Sequence, residues 1–282
     1  VILDLLSYNT YYNSYYLNMV ANELFLDTAA LRNSVVQKAK MLGYTPRSVL
    51  GSRAQIALQV FPSDNPSSIV IERGIKFKSL VGDKSYIFTV PEAQTITPAN
   101  NVYKAENLVI TQGQRLVHRY TVDLSNKEQK FVLPNPDTDV TTLVVQVKES
   151  ATDSNVYSYS KATDALAVTS TSNVYFCYET FDNKFEVQFG DGKVGRKLSD
   201  GNQVILEAAI AEGPDTNKAA SFELLDTIGG YANTTVTTKV KGYGGALRET
   251  VEEIKYNAPK SVSYTHLRAH ETPEHLVFRL LL

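Results

Sequence analysis

Residues 54–90, AQIALQVFPSDNPSSIVIERGIKFKSLVGDKSYIFTV, decide the fold class. The runs AQIALQVFP, SSIVIERG, IKFKSL and KSYIFTV alternate with period two, are rich in Ile, Val, Phe and Tyr, and are separated by Gly, Pro, Asn and Asp. That pattern marks short strands between turns. It continues through NLVITQG, RLVHRYTVD, QKFVLP, TTLVVQVKE, NVYSYSKA, NVYFCYET, KFEVQFGDGK and NQVILEAAIAEG. Strands at a spacing of roughly 8–12 residues, with no helix-length pattern between them, predict antiparallel sandwich or barrel-like units. A parallel α/β sheet of the Rossmann or TIM type is excluded on the same ground. The stretch TTVTTKVKGYGGALRETVEEIKYNAPKS adds a strand, a glycine-rich turn and a short helix from Leu247 to Tyr256, with Pro259 expected to end it.

Upstream of the strands the period is helical. Leu5, Tyr8, Tyr12, Tyr15, Met19 and Leu26 recur every three or four residues and form one seam. Tyr11, Tyr16, Val20 and Leu24 lie off that seam, so a helix of roughly 35–40 Å shows aromatic surface in more than one direction. Burial within its own domain is one reading; contact with partner subunits is the other. Tyrosine suits the second, because its ring gives contact area at low entropic cost and its hydroxyl keeps a polar partner. Leu5, Tyr8, Tyr11, Tyr12, Tyr15, Tyr16 and Met19 are therefore the candidate interface residues. Asp27 reads as the N-cap of a second helix, with Ala30, Leu31, Val35, Ala39 and Leu42 inward and Gly43 as its stop. The expected class is α+β, mainly β: an N-terminal helical hairpin, antiparallel β-sandwich or barrel-like units, and a short C-terminal helix.

The expected divisions are 1–46 for the helical segment and 47–108 for a first β unit. Residues 109–203 form a second β unit that can be read as an insertion, and 204–261 the return segment and start of a C-terminal helical region. At 282 residues and 43% hydrophobic the chain can bury a sizeable core. A net charge of -2, with scattered Lys and Arg, argues against nucleic-acid binding. No apolar run reaches membrane-span length. Cys177 lies in the apolar strand pattern VYFCYE and reads as a buried structural thiol, compatible with a reducing cytosol. Val1 is not methionine and stands in a helical pattern, so the chain is expected to be a fragment.

Gly190-Asp191-Gly192-Lys193-Val194-Gly195 matches the dinucleotide spacing G-x-G-x-x-G after a strand, with Glu212 as a candidate ribose ligand. The required helix does not follow, because Ser199-Asp200-Gly201-Asn202 supplies another turn and a strand pattern resumes at Gln203. Tight turns are the better reading. His266, His270, Glu271, Glu274 and His275 have the look of metal ligands. VSYTHLRAHET, Val262 to Thr272, however, matches the translation of a transposon end and adapter used in preparing DNA sequencing libraries. His275 to Leu282 continues that match except at Phe278. Residues 262–282 are thus expected to be adapter-derived, and their histidines carry no functional weight. Glu252 and Glu253 are adjacent and read as a solvated face. No catalytic constellation, cofactor site or metal site is expected, and the chain reads as a non-enzyme without a small-molecule substrate.

LDLLSYNTYYNSYYLNMVANELFLDTA with RNSVVQKAKMLGYTPRS, then FEVQFGDGKVGRKLSDGNQVILE, then YGGALRETVEEIKYNAPKS together resemble the baseplate wedge proteins of contractile-tailed bacteriophages, within the baseplate-J-like family. The resemblance spans nearly all of Ile2 to Ser261. It implies a virion structural protein of the tail baseplate, assembled in the host bacterial cytoplasm, that packs through helices against other wedge subunits and a second copy of itself. It also implies a link between wedges around the tail hub and a relay of baseplate rearrangement to sheath contraction, without direct membrane insertion. By position, Ile2 to Leu26 would join the inter-subunit bundle, and Gly244 through Pro259 would lead into a ring-forming region beyond Lys260. A glycan-binding or adhesin β module is the alternative from a different class.

Overall fold

The computed structural model describes residues 1–99, 102–162 and 168–270, with side chains described as far as Ser261. Two compact units emerge. One gathers Val1–Arg47, Tyr178–Asn183 and the chain from Glu249 onward; the other takes Ser48–Cys177 and Lys184–Arg248.

The helical unit contains α1 (Ile2–Asn22), α2 (Arg32–Met41) and α3 (Val251–His270). Its core is small: Val35, Val36 and Ala39 of α2 pack with Ala29 and with Ile254 and Ala258 of α3. The α2 face is thus as expected at Val35 and Ala39, and the helix closes at Gly43 with positive φ. Its start is different. Asp27 is not the N-cap; Leu31 holds that place, and both Ala30 and Leu31 are exposed. Glu23 Oε1 accepts the N–H groups of Ala30 and Leu31 at 2.8 and 3.1 Å, and Leu31 is extended, so the residues just after Asp27 stay outside the helix. Leu42 also lies 38% exposed rather than inward.

A second correction concerns α3. It begins at Val251, not Leu247, because Thr250 and Glu253 form a reciprocal cap: Glu253 Oε2 accepts the Thr250 N–H at 2.7 Å and Thr250 Oγ1 accepts the Glu253 N–H at 3.3 Å. Pro259 sits inside α3 and does not end it. The proline removes one donor from the ladder, which a helix anchored by Ile254 and Ala258 tolerates. The side chains of His266 and His270, and all of residues 271–282, lie outside the described residues.

In the β unit each alternating run holds a strand. In chain order these are β1 (Arg53–Val60), β2 (Ile69–Ile71), β3 (Lys76–Val81), β4 (Lys84–Thr89), β5 (Gln94–Ile96), β6 (Tyr103–Gln112) and β7 (Gln114–Thr121). There follow β8 (Phe131–Leu133), β9 (Thr138–Lys148), β10 (Tyr157–Lys161), β11 (Val174–Glu179), β12 (Phe185–Phe189), β13 (Gln203–Ile210), β14 (Glu223–Leu224) and β15 (Thr234–Tyr243). They build a six-stranded sheet, β14-β3-β4-β6-β1-β15, and a seven-stranded sheet, β7-β13-β9-β10-β11-β12-β8, with β2 and β5 as a separate ribbon. β10 runs parallel to β11, where Ser160 faces Val174, and the other pairs of described register are antiparallel.

Each large sheet has its own core. Ile56, Leu58, Phe77, Phe88 and Ile110 are fully buried in the first, and Val145, Val187, Val204 and Leu206 in the second. The chain passes from the first sheet to the second through one residue, Gly113, between β6 and β7. Its φ is +138°, and a Cβ there would stand 2.8 Å from Ala209 Cβ and 2.9 Å from the Ile210 carbonyl. Only glycine fits this crossing. Cys177 is buried in the second core, and burial pushes its thiol up to about 12. It is a packing residue.

Candidate subunit-interface helix

Nothing between Ile2 and Asn22 breaks a helix: the stretch has no Gly or Pro, and its polar residues bond within the helix. Thr10 Oγ1 donates to the Leu6 carbonyl at 2.9 Å and Asn13 Nδ2 to Asn9 Oδ1 at 3.0 Å. The helix nevertheless buries no residue. Among the predicted interface residues Leu5 is 69% exposed, Tyr11 68%, and even the most sheltered, Tyr12, 38%. Tyr8, Tyr15, Tyr16 and Met19 are exposed as well. Leu26, the last seam residue, lies beyond α1 and packs on the helical core instead.

What shelters these side chains is one another. The ring centroids of Tyr8 and Tyr12 are 4.4 Å apart, Tyr11 and Tyr12 5.7 Å, Tyr15 and Tyr16 5.8 Å, and Tyr12 and Tyr16 6.2 Å. Tyr12 is the hub, touching a ring on three sides through tilted and edge contacts of the kind aromatic pairs favour. A hydrogen bond with Tyr12 lifts the Tyr8 hydroxyl above the usual phenol range. The arrangement offers rings and hydroxyls, and no acid, base or nucleophile.

Sequence reading missed the clasp that holds the helical unit together. Arg32, the first residue of α2, forks onto Glu179, with Nε to Oε1 at 2.7 Å and Nη2 to Oε2 at 2.9 Å. Arg32 Nη1 also donates to the Glu249 carbonyl. The Glu249 carboxylate, 2% exposed, accepts the Tyr44 hydroxyl at 2.7 Å, the Arg47 N–H at 2.9 Å and Asn257 Nδ2 at 2.7 Å. Burial first, and the Glu249 bond second, push Tyr44 up to about 12. Residues so far apart share no local period, so only the Thr250-x-x-Glu253 capping pattern was open to discovery beforehand.

The tempting motifs resolve as turns. Asp191 Oδ1 accepts the N–H groups of Lys193 and Val194 at 2.8 and 2.9 Å, and Gly192 N–H bonds back to the Gly195 carbonyl at 3.0 Å. The Gly190 Cα stands against Gly195 so closely that a Cβ would fall 2.2 Å from its carbonyl carbon. No helix follows before β13, so the loop presents no helix N-terminus to a phosphate. Glu253 is spent on the α3 cap and Glu252 pairs with Lys255 at 3.1 Å. Among the described residues no group of three or more His, Cys, Asp or Glu is placed to hold a metal, and no helix is long and apolar enough to cross a membrane.

Residues 1–44 match the family model "Baseplate wedge protein gp6-like, helical domain". The chain is also similar to "Baseplate wedge protein gp6" of Enterobacteria phage T4, at 30% identity over 247 residues, which is 81% of this chain and 36% of that protein. The chain thus spans little more than a third of the length of the relative it matches. The first match covers the exposed helix with α2, and the second runs on into the β sheets. Residues 1–44 thus carry a helical domain of the gp6-like type, and the likeness to a baseplate wedge protein runs on into the β unit.

Proposed function

We propose that the chain is a structural, non-enzymatic part of a phage tail baseplate wedge, in which α1 packs against other wedge subunits and a second copy of the chain. The observation that carries this reading is a 21-residue helix with no buried residue and a continuous tyrosine cluster, lying within the part that matches the gp6-like helical domain. Such a surface is stable in water only at a cost that a partner removes, and a bundle of helices is the simplest cover for an apolar seam at three- and four-residue spacing. Leu5, Tyr8, Tyr11, Tyr12, Tyr15, Tyr16 and Met19 make that contact. The divisions 1–46, 47–108, 109–203 and 204–261 are read as the helical segment, two β units and a return segment, and the β units act as a rigid body that passes baseplate rearrangement on toward the sheath. The protein works in the virion tail baseplate after assembly in the host cytoplasm.

The test is co-expression of this chain with the other wedge genes of its phage, followed by size-exclusion chromatography. A stable mixed complex is expected, and the combined substitution Tyr8→Ala, Tyr12→Ala and Tyr15→Ala should release the chain while circular dichroism retains the β signal. Assembly unchanged by the triple substitution would sink the α1 assignment, and no complex with any wedge protein would sink the function.

A further inference from the structure

A cleft of about 620 Å³ opens in the β unit, lined by residues of β1, β6, β7 and β9 and by the segments around Arg73 and Pro91. Three arginines reach it: Arg53, Arg73 and Arg115. Two carboxylates interact with them. Glu207 Oε1 accepts Arg115 Nη1 at 2.7 Å and lies 3.2 Å from Arg73 Nη2, and Glu92 sits exposed on the lining. Three positive charges against two negative leave one positive charge over.

The hydrogen bonds are short of acceptors too. Arg115 Nη2 reaches the Pro91 carbonyl at 3.2 Å, but Arg115 Nε, Arg73 Nε and Arg73 Nη2 are buried without a hydrogen-bond partner. The Arg73 nitrogen close to Glu207 therefore contributes charge without hydrogen-bond alignment. The Arg53 side chain is exposed and makes no hydrogen bond or ion pair among the described residues. Buried unsatisfied guanidinium donors are uncommon in native proteins and call for an acceptor. Burial and the neighbouring Arg115 charge hold the Arg73 guanidinium below its usual range, a strain that a bound anion relieves. The remaining lining mixes the aliphatic Val109, Leu143 and Val144 with Thr111, Thr141 and Thr142.

We propose that this cleft is a binding site for a carboxylate on a short aliphatic stem, its oxygens taken by Arg53 and Arg73 and its stem lying against Val109 and Leu143. Both a glutamate side chain of a protein segment and a free small carboxylate present this chemistry. A phosphate dianion is disfavoured, because Glu92 and Glu207 offset two of the three arginine charges.

The site is independent of α1, and its test needs no wedge partner. Backbone amide shifts of the whole chain are followed by NMR during titration with acetyl-Val-Glu-Val-amide, its Gln counterpart, sodium butyrate and inorganic phosphate. Saturable shifts confined to Arg53, Thr111, Leu143 and their neighbours are expected with the Glu peptide, with butyrate or with both. The Gln peptide and the Arg53→Gln variant should each bind about tenfold more weakly, the loss of one charge-assisted bond. Arg53 is exposed and unpaired, so its replacement leaves the fold intact; Glu92→Gln should tighten binding. Peptide binding without butyrate binding assigns the site to a protein segment, and butyrate binding of equal strength assigns it to a free carboxylate. Saturation by phosphate alone, no saturable shift with any probe, or an Arg53→Gln variant that binds the carboxylate unchanged would each overturn the proposal.

Discussion

Glu249 joins three pieces of the helical unit through one carboxylate, since its acceptors serve Tyr44, Arg47 and Asn257. A buried group in this position matters most when it is removed, because its partners are left as unsatisfied donors. Glu249→Ala should therefore cost about 2–4 kcal/mol, read as a lowered urea midpoint of the helical signal; an unchanged midpoint would show that water replaces the carboxylate freely. Three other residues make stability depend on alkaline pH. Burial raises the Cys177 thiol from 9.0 to about 12, and burial raises the Tyr44 and Tyr175 hydroxyls from 10.0 to about 12. The unfolded chain gives up these protons first, so the stabilisation is complete below pH 9 and drains away as the pH rises toward 12. Urea midpoints measured along that range should fall monotonically. At neutral pH the same burial should make Cys177 unreactive to iodoacetamide until denaturant is added.

At the scale of the element, the three helices are held by different forces. α1 relies on its own hydrogen bonds and ring contacts, α2 on its buried Val35, Val36 and Ala39, and α3 on a capping box followed by Ile254 and Ala258. Thr250→Ala removes one half of the box and should destabilise the helical unit by about 1 kcal/mol, which a thermal melt followed at 222 nm can resolve. No shift at all would mean that Glu253 caps α3 unaided. The strands carry their reason on their face. Where β1 alternates it pairs on both sides, with β6 and with β15, and Ile56, Leu58 and Val60 fall inward. β7 is an edge strand, and it accordingly keeps Gln114, Val117, Arg119 and Thr121 exposed.

The whole molecule sets a small core of Ala, Val and Ile in the helical unit against two cores of Phe, Tyr, Ile, Leu and Val in the β unit. Apolar area buried scales with the stability it contributes, so the helical unit should open at lower denaturant than the β sheets. Hydrogen exchange read by mass spectrometry should show α1 exchanging first, then α2 with the start of α3, and β1, β6 and β13 last; uniform exchange across the chain would contradict this. Much of this molecule was legible one segment at a time. Helix, strand and turn follow from local periodicity and from Gly, Pro and Asx chemistry, so the strands, the helical period of α1 and the Asp191-Gly192 turn could be read directly. The start of α3 lies at Val251 because the Thr250–Glu253 pair, rather than a residue near Leu247, satisfies its first free N–H groups, and α2 starts after Leu31, which has no side-chain cap to signal it. The kinds of element and their order were legible in the chain, because those depend on neighbours within a few residues. Tertiary packing alone set that β15 closes on β1, that Arg32 meets Glu179 across 147 residues, that Arg73 and Arg115 share Glu207, and that no residue of α1 is buried. Those outcomes depend on which apolar faces bury one another and on charges brought together by packing, and no local period encodes either.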